Sequence, residues 1–184
     1  MTKRTLMKAV GIVSFLFAAF SGFLKDVAPP PETGAWKWVG FSSFGVLIVF
    51  LYVSALSAGR SNLKMRRTWL IVSACFFALA VGSGIVYGLA LDRLTFWYPP
   101  GNATGRYVAG TVLTPKGQAF HPSPEQYPSV VFEFGLDNRD EIWTPESITH
   151  AGHILCGYYS IFLVSLAACI FCLTEGAMRG LRNA

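Results

Sequence analysis

The sequence predicts an all-α integral membrane protein: four transmembrane helices, with a small mixed external cap between the third and the fourth. Three observations predict it. Only 14% of the 184 residues are charged while 53% are hydrophobic, against about 25% charged in soluble domains. Four apolar runs each approach the length of about 20 residues that a helix needs to cross a bilayer. The basic residues concentrate in alternate connecting segments. Nine of the fifteen fall at Lys3, Arg4 and Lys8, at Arg60, Lys64, Arg66 and Arg67, and at Arg179 and Arg182, whereas nine of the ten acidic residues lie elsewhere. Positive charge stays on the cytoplasmic side of a membrane, so this alternation puts both termini in the cytoplasm. A single multi-pass membrane domain over residues 1–184 follows. The net charge of +5 then encodes topology, and no direct contact with nucleic acid is expected.

The first span runs over about residues 6–24. Its basic start and apolar run resemble a signal peptide, but Phe20-Ser21-Gly22-Phe23 is a poor cleavage site, so the segment is read as retained. Pro29-Pro30-Pro31 makes an external turn before the second span, about 36–57, since consecutive prolines cannot continue a helix. Gly59–Arg67 is a short basic turn on the cytoplasmic side. Its Arg60, Lys64, Arg66 and Arg67 are placed to contact anionic lipid or a cytoplasmic protein partner. The third span, about 68–91, carries two rows of small residues at four-residue spacing, Ala74-Ala78-Gly82 and Ala80-Gly84-Gly88. Such rows let helices approach closely, which makes them the expected packing or homo-oligomer face.

Residues 92–148 form the one sizeable hydrophilic stretch. Arg106–Thr114 is β-leaning, Ser123-Pro124-Glu125-Gln126 has the form of a capped helix start, and Asp137–Asp140 reads as a turn. Val130–Phe134 is too short for periodicity to separate strand from helix. The aromatics Phe120, Tyr127, Phe132, Phe134 and Trp143 point to a small folded cap. The fourth span, about 149–173, contains no Asp, Glu, Lys or Arg. Its start is written in Thr144 as N-cap, Pro145 at the first helical position and Glu146 against the positive helix end.

Few residues suggest chemistry. Glu146, His150 and His153 fall at i, i+4 and i+7, so one helix face presents a carboxylate and two imidazoles near the outer boundary. These are groups that zinc accepts, and histidine titrates near neutral pH; a polar helix start facing water is the commoner explanation of such a pattern. Cys169 and Cys172 share a face and read as packing residues in an apolar helix. No zinc-protease motif, phosphate-binding glycine loop or nucleophile elbow occurs in the sequence, so neither catalysis, cofactor nor metal is expected. The interiors of the four spans carry no charged residue, with Lys37 at the outer end of the second, which disfavours an ion-coupled transporter.

The segment RYVAGTVLTPKGQAF, followed by FGLDNRDEIWTPESI and a final span, resembles the exoplasmic loop of small transmembrane proteins of bacterial conflict and antiphage systems. The four-span plan with cytoplasmic ends is similar to that of the membrane component of the Kiwa system. The resemblance implies an oligomeric membrane sensor or effector with a cytoplasmic partner, acting by envelope sensing or by permeabilisation, with no catalytic residues. The competing readings are a channel or small-solute transporter subunit, an accessory subunit of a larger membrane complex, and a metalloenzyme centred on Glu146, His150 and His153.

Overall fold

The computed structural model describes residues 28–33, 63–98, 105–120 and 122–181. The expected spans at 6–24 and 36–57, together with Arg60, Arg182 and the turn at 99–104, lie outside the described residues. What is described is mostly helical and includes a two-stranded sheet.

Two helices are long and apolar enough to cross a membrane. The first, α1, is Leu63–Leu94, and the last, α4, is Pro145–Leu181; they contain the expected spans at 68–91 and 149–173. At about 1.5 Å of rise per residue the 32 residues of α1 extend about 48 Å. A core helix of a water-soluble protein would be mostly covered, yet only 17% of the apolar window of α1 is buried, against 44% in α4. Leu70, Ile71, Phe77, Leu79, Val81, Ile85, Val86 and Leu89 all stand exposed on α1. A helix apolar all round and left uncovered by its own chain suits lipid better than water.

The chain divides into two compact units: residues 1–28, 39–83 and 160–184, and residues 29–38 and 84–159. In the first unit, α1 and α4 meet through polar and aromatic contacts. The Ser73 hydroxyl donates to the Cys169 carbonyl at 3.0 Å, an interhelical bond of the kind that holds helices together in lipid. Trp69 meets Phe171 edge to face at 6.2 Å. Cys172 is fully buried beside Cys169 on the same helix, as packing residues.

The second unit holds the cap. There α1 passes directly into β1 (Thr95–Tyr98), which pairs antiparallel with β2 (Gly105–Val108) in the register Thr95↔Val108 and Trp97↔Arg106. The Thr95 hydroxyl donates back to the Leu91 carbonyl, closing the helix end. Beyond it the run Thr-Phe-Trp-Tyr favours extended backbone. Alternation sends Phe96 and Tyr98 inward while Trp97 stays 57% exposed. The β-leaning stretch from Arg106 is strand only as far as Val108; it resumes as a single bridge between Leu113 and Trp143. The short helix α2 (Pro115–Gln118) is capped by the Thr114 hydroxyl, which accepts from Gly117 N–H at 3.0 Å.

A 3-10 turn at Pro124–Gln126 leads into α3 (Tyr127–Phe134). The Ser123 N–H donates to Gln126 Oε1 at 3.2 Å, one half of the expected capping box. The undecided run Val130–Phe134 is therefore helical. It ends at Gly135, whose φ of +85° favours a residue without Cβ. The turn at Asp137–Asp140 is a 3-10 segment, Leu136–Glu141.

These pieces close over one core of Phe96, Tyr98, Ala109, Val131, Ile142 and Trp143. Trp143 lies stacked on Phe96 at 6.0 Å and edge-on to Tyr127 at 5.0 Å. Two glycines permit the close approach of the segments around it. A Cβ at Gly110 would collide with Trp143 Cβ and Ser147 Oγ, and one at Gly117 with the Ile142 carbonyl. The helix α4 then starts at Pro145, with Ser147 N–H and Ile148 N–H donating to the Thr144 carbonyl at 2.9 and 3.2 Å.

Candidate functional site

Among the described residues, the most convergent polar arrangement lies on the cap and begins with a segment far away in sequence. Pro31–Thr33 forms a 3-10 turn in which both the N–H and the hydroxyl of Thr33 donate to the Pro30 carbonyl, at 3.0 and 2.7 Å. The turn presents Glu32. Its Oε1 accepts from Val108 N–H at 2.7 Å and from Arg139 Nη1 at 2.9 Å, while its Oε2 faces Arg139 Nη2 at 2.7 Å. A guanidinium fork and a main-chain amide thus enclose one carboxylate, the arrangement that binds carboxylates most specifically.

The backbone holds each donor in place. Val108 ends β2, and its neighbour Ala109 donates to the Leu94 carbonyl at 2.8 Å. The Arg139 carbonyl accepts from Ile142 N–H and Trp143 N–H at 3.1 and 3.0 Å, and its guanidinium lies 6.0 Å from the Tyr107 ring centre. Both charged side chains remain about a quarter exposed, so solutes reach them.

Beside the pair opens a cleft of about 200 Å³ lined by Glu32, Thr33, Val108, Arg139, Ile148, Thr149, Gly152 and His153. The turn packs on α4 at Gly152, where a Cβ would stand 3.4 Å from Thr33 Cγ2, in ordinary contact. The Cys156 thiol approaches the Thr33 carbonyl at 3.9 Å. The lining combines a guanidinium, a carboxylate, an imidazole and threonine hydroxyls, which suits it to binding an ionic group. Elsewhere in the cap, Lys116 pairs with Glu141 and lies 4.9 Å from the Phe134 ring centre. Burial raises the Tyr127 hydroxyl above the ordinary phenol value of 10.0.

The residues singled out from sequence are dispersed. Glu146, His150 and His153 are all exposed, and of the three only His153 lines the cleft. Among the described residues, no three His, Cys, Asp or Glu side chains come close enough to hold a metal ion. The two small-residue rows differ from each other. Ala80 is buried and Gly84 and Gly88 half-buried, whereas Ala74, Ala78 and Gly82 are exposed. A Cβ on Gly82 or Gly88 would meet nothing within 4 Å. Lys64 falls in the first turn of α1, and Arg66 and Arg67 follow it, both exposed.

Sequence reasoning missed Glu32, Arg139 and the Val108 amide. The one signal was Arg139 itself, a single cation among Asp137, Asp140 and Glu141. Comparison with protein-family models, with curated proteins and with solved structures finds no match to this chain.

Proposed function

We propose that this chain is a multi-pass protein of a bacterial inner membrane that serves an antiphage defence system as a sensor or effector, without chemistry of its own. In this reading it crosses the lipid four times with both ends cytoplasmic. It assembles as a homo-oligomer and works with a cytoplasmic protein partner that reads Arg60, Lys64, Arg66 and Arg67.

One observation carries the reading: the cap is joined to both apolar helices without a linker. The last residue of α1, Leu94, is followed at once by β1, and Trp143 in the cap core stands two residues before the start of α4. A displacement imposed on the cap is therefore delivered to helices that suit lipid, which is what a receiver of external signals requires. The run from Trp36 to Ser57 is apolar enough in sequence for a further crossing.

The exposed row Ala74, Ala78 and Gly82 favours association with another membrane helix, which serves a homo-oligomer and equally an accessory subunit of a larger complex. The defence role is tested by expressing the chain, with the genes that flank it, in a phage-sensitive bacterium. Plaque counts should fall, and the fall should disappear when the chain is deleted from the set. Unchanged counts with the complete set contradict the role. The mass of the detergent-solubilised particle tests the oligomer, and a monomeric mass contradicts it.

A further inference from the structure

We propose that the Arg139 fork and the Val108 amide form a receptor site for carboxylate-bearing ligands, and that in the resting chain Glu32 plugs it. The proposal deepens the reading of the cap as a receiver by naming the ligand class, and it rests on that reading for its biological meaning only. Its chemistry stands on the geometry. Three donors converge on one carboxylate: Arg139 Nη1 at 2.9 Å, Arg139 Nη2 at 2.7 Å and Val108 N–H at 2.7 Å. Two of them come from a planar guanidinium, whose shape selects a two-oxygen anion over a spherical one.

The carboxylate that fills the site belongs to a segment 107 positions away from Arg139. It arrives on a three-residue turn, Pro31–Thr33, which follows the buried Pro29 and Pro30; Glu32 itself is outside the aromatic core of the cap. The pair is about a quarter exposed on each side, and the adjoining cleft of about 200 Å³ leaves room for the body of a small ligand. There Thr149, Gly152 and His153 line the wall that such a body would meet. A carboxylate arriving from outside competes with Glu32 for the same three donors. When it wins, the turn at residues 31–33 loses its ionic hold on the cap, and binding frees the Glu32 carboxylate.

Chemical rescue on the full-length chain in detergent tests this, with sodium acetate as the probe and sodium chloride at equal ionic strength as the control. The readout is amide hydrogen exchange at Val108, with Thr114, bonded to the Ile142 carbonyl at 2.9 Å, as the reference for an intact cap. In Glu32→Ala, exchange at Val108 should rise by about tenfold, the loss of one charge-assisted bond. Acetate should restore its protection, and chloride should not. In the double variant Glu32→Ala, Arg139→Gln, acetate should have no effect. Equal effects of acetate and chloride in the single variant overturn the proposal, as does rescue that persists without Arg139.

If Glu32→Ala also loosens Thr114, the wild-type chain decides. Acetate raised above the effective concentration of a tethered group, in the millimolar range, should then accelerate exchange at the Thr33 amide more than chloride does; equal rates overturn the proposal. A rescue seen in a chain that gives no protection against phage would uphold the receptor and refute the defence role, so the two failures are separable.

Discussion

Replacing Trp143 by Ala should loosen the cap while leaving the two long helices helical. The side chain is 1% exposed, stacked on Phe96 at 6.0 Å and edge-on to Tyr127 at 5.0 Å. A buried tryptophan removes about 200 Å² from water, which at about 25 cal/mol per Å² is about 5 kcal/mol. Truncations of Trp or Phe in cores cost about 3–5 kcal/mol, so about 4 kcal/mol is the working figure. A small folded unit has about 5–15 kcal/mol in total, and such a loss raises its opening by about a thousandfold. The assay is amide exchange on the solubilised chain at Thr114 and Thr144, whose N–H groups donate to the carbonyls of Ile142 and Val112 at 2.9 and 3.0 Å. These bonds flank Trp143 on both sides. They should exchange faster by about that factor, while amides in α1 near Ser73, held to α4 through Cys169, should not change. If Thr114 and Thr144 keep their protection, the aromatic core is not what holds the cap, and the coupling of cap to helices argued above loses its basis.

Two further outcomes follow from the same packing. Gly117→Ala places a methyl group against the Ile142 carbonyl, whereas Gly157→Ala meets nothing within 4 Å. The first should weaken the cap by about 1–3 kcal/mol and the second should leave it unchanged or slightly more stable, read by the same exchange. Tyr127 is held neutral by burial, so its hydroxyl ionises at higher pH folded than unfolded. Its contribution is therefore complete below about pH 10 and is lost as pH rises through the folded value. Tyr127→Phe should remove part of the alkaline loosening of the cap, and identical pH profiles would contradict the assignment.

The two long helices were legible because length and composition decide them: about 20 uncharged apolar residues have few alternatives to a helix in lipid. The start of α4 was legible too, since Thr144-Pro145-Glu146 is a local signal and the first turn forms where it points. Val130–Phe134 was not, because four apolar residues around Glu133 fit either period. Pro128 in the first turn and Gly135 at the end settle it as helix. The two small-residue rows of α1 have the same spacing, so spacing alone could not rank them. Burial ranks them: Ser73, Ala80 and Tyr87 recur at seven-residue intervals along the covered face, and Leu91 continues it. The Glu32–Arg139 pair was not legible: the lone cation among Asp137, Asp140 and Glu141 marks Arg139 but names no partner for it. Nothing local ties a carboxylate after three prolines to an arginine 107 positions later; only the folding of the cap brings them together.

Membrane topology tests the account at its root. Single cysteines placed at Ser61, in the basic turn, and at Ser123, on the cap, in a chain otherwise free of cysteine, are exposed in intact cells to a thiol reagent that does not cross the inner membrane. The account predicts labelling at Ser123 and none at Ser61 until the cells are lysed. Labelling at Ser61 with Ser123 protected would invert the protein. Labelling of neither site before lysis would remove the cap from the outer face and the proposed receptor with it.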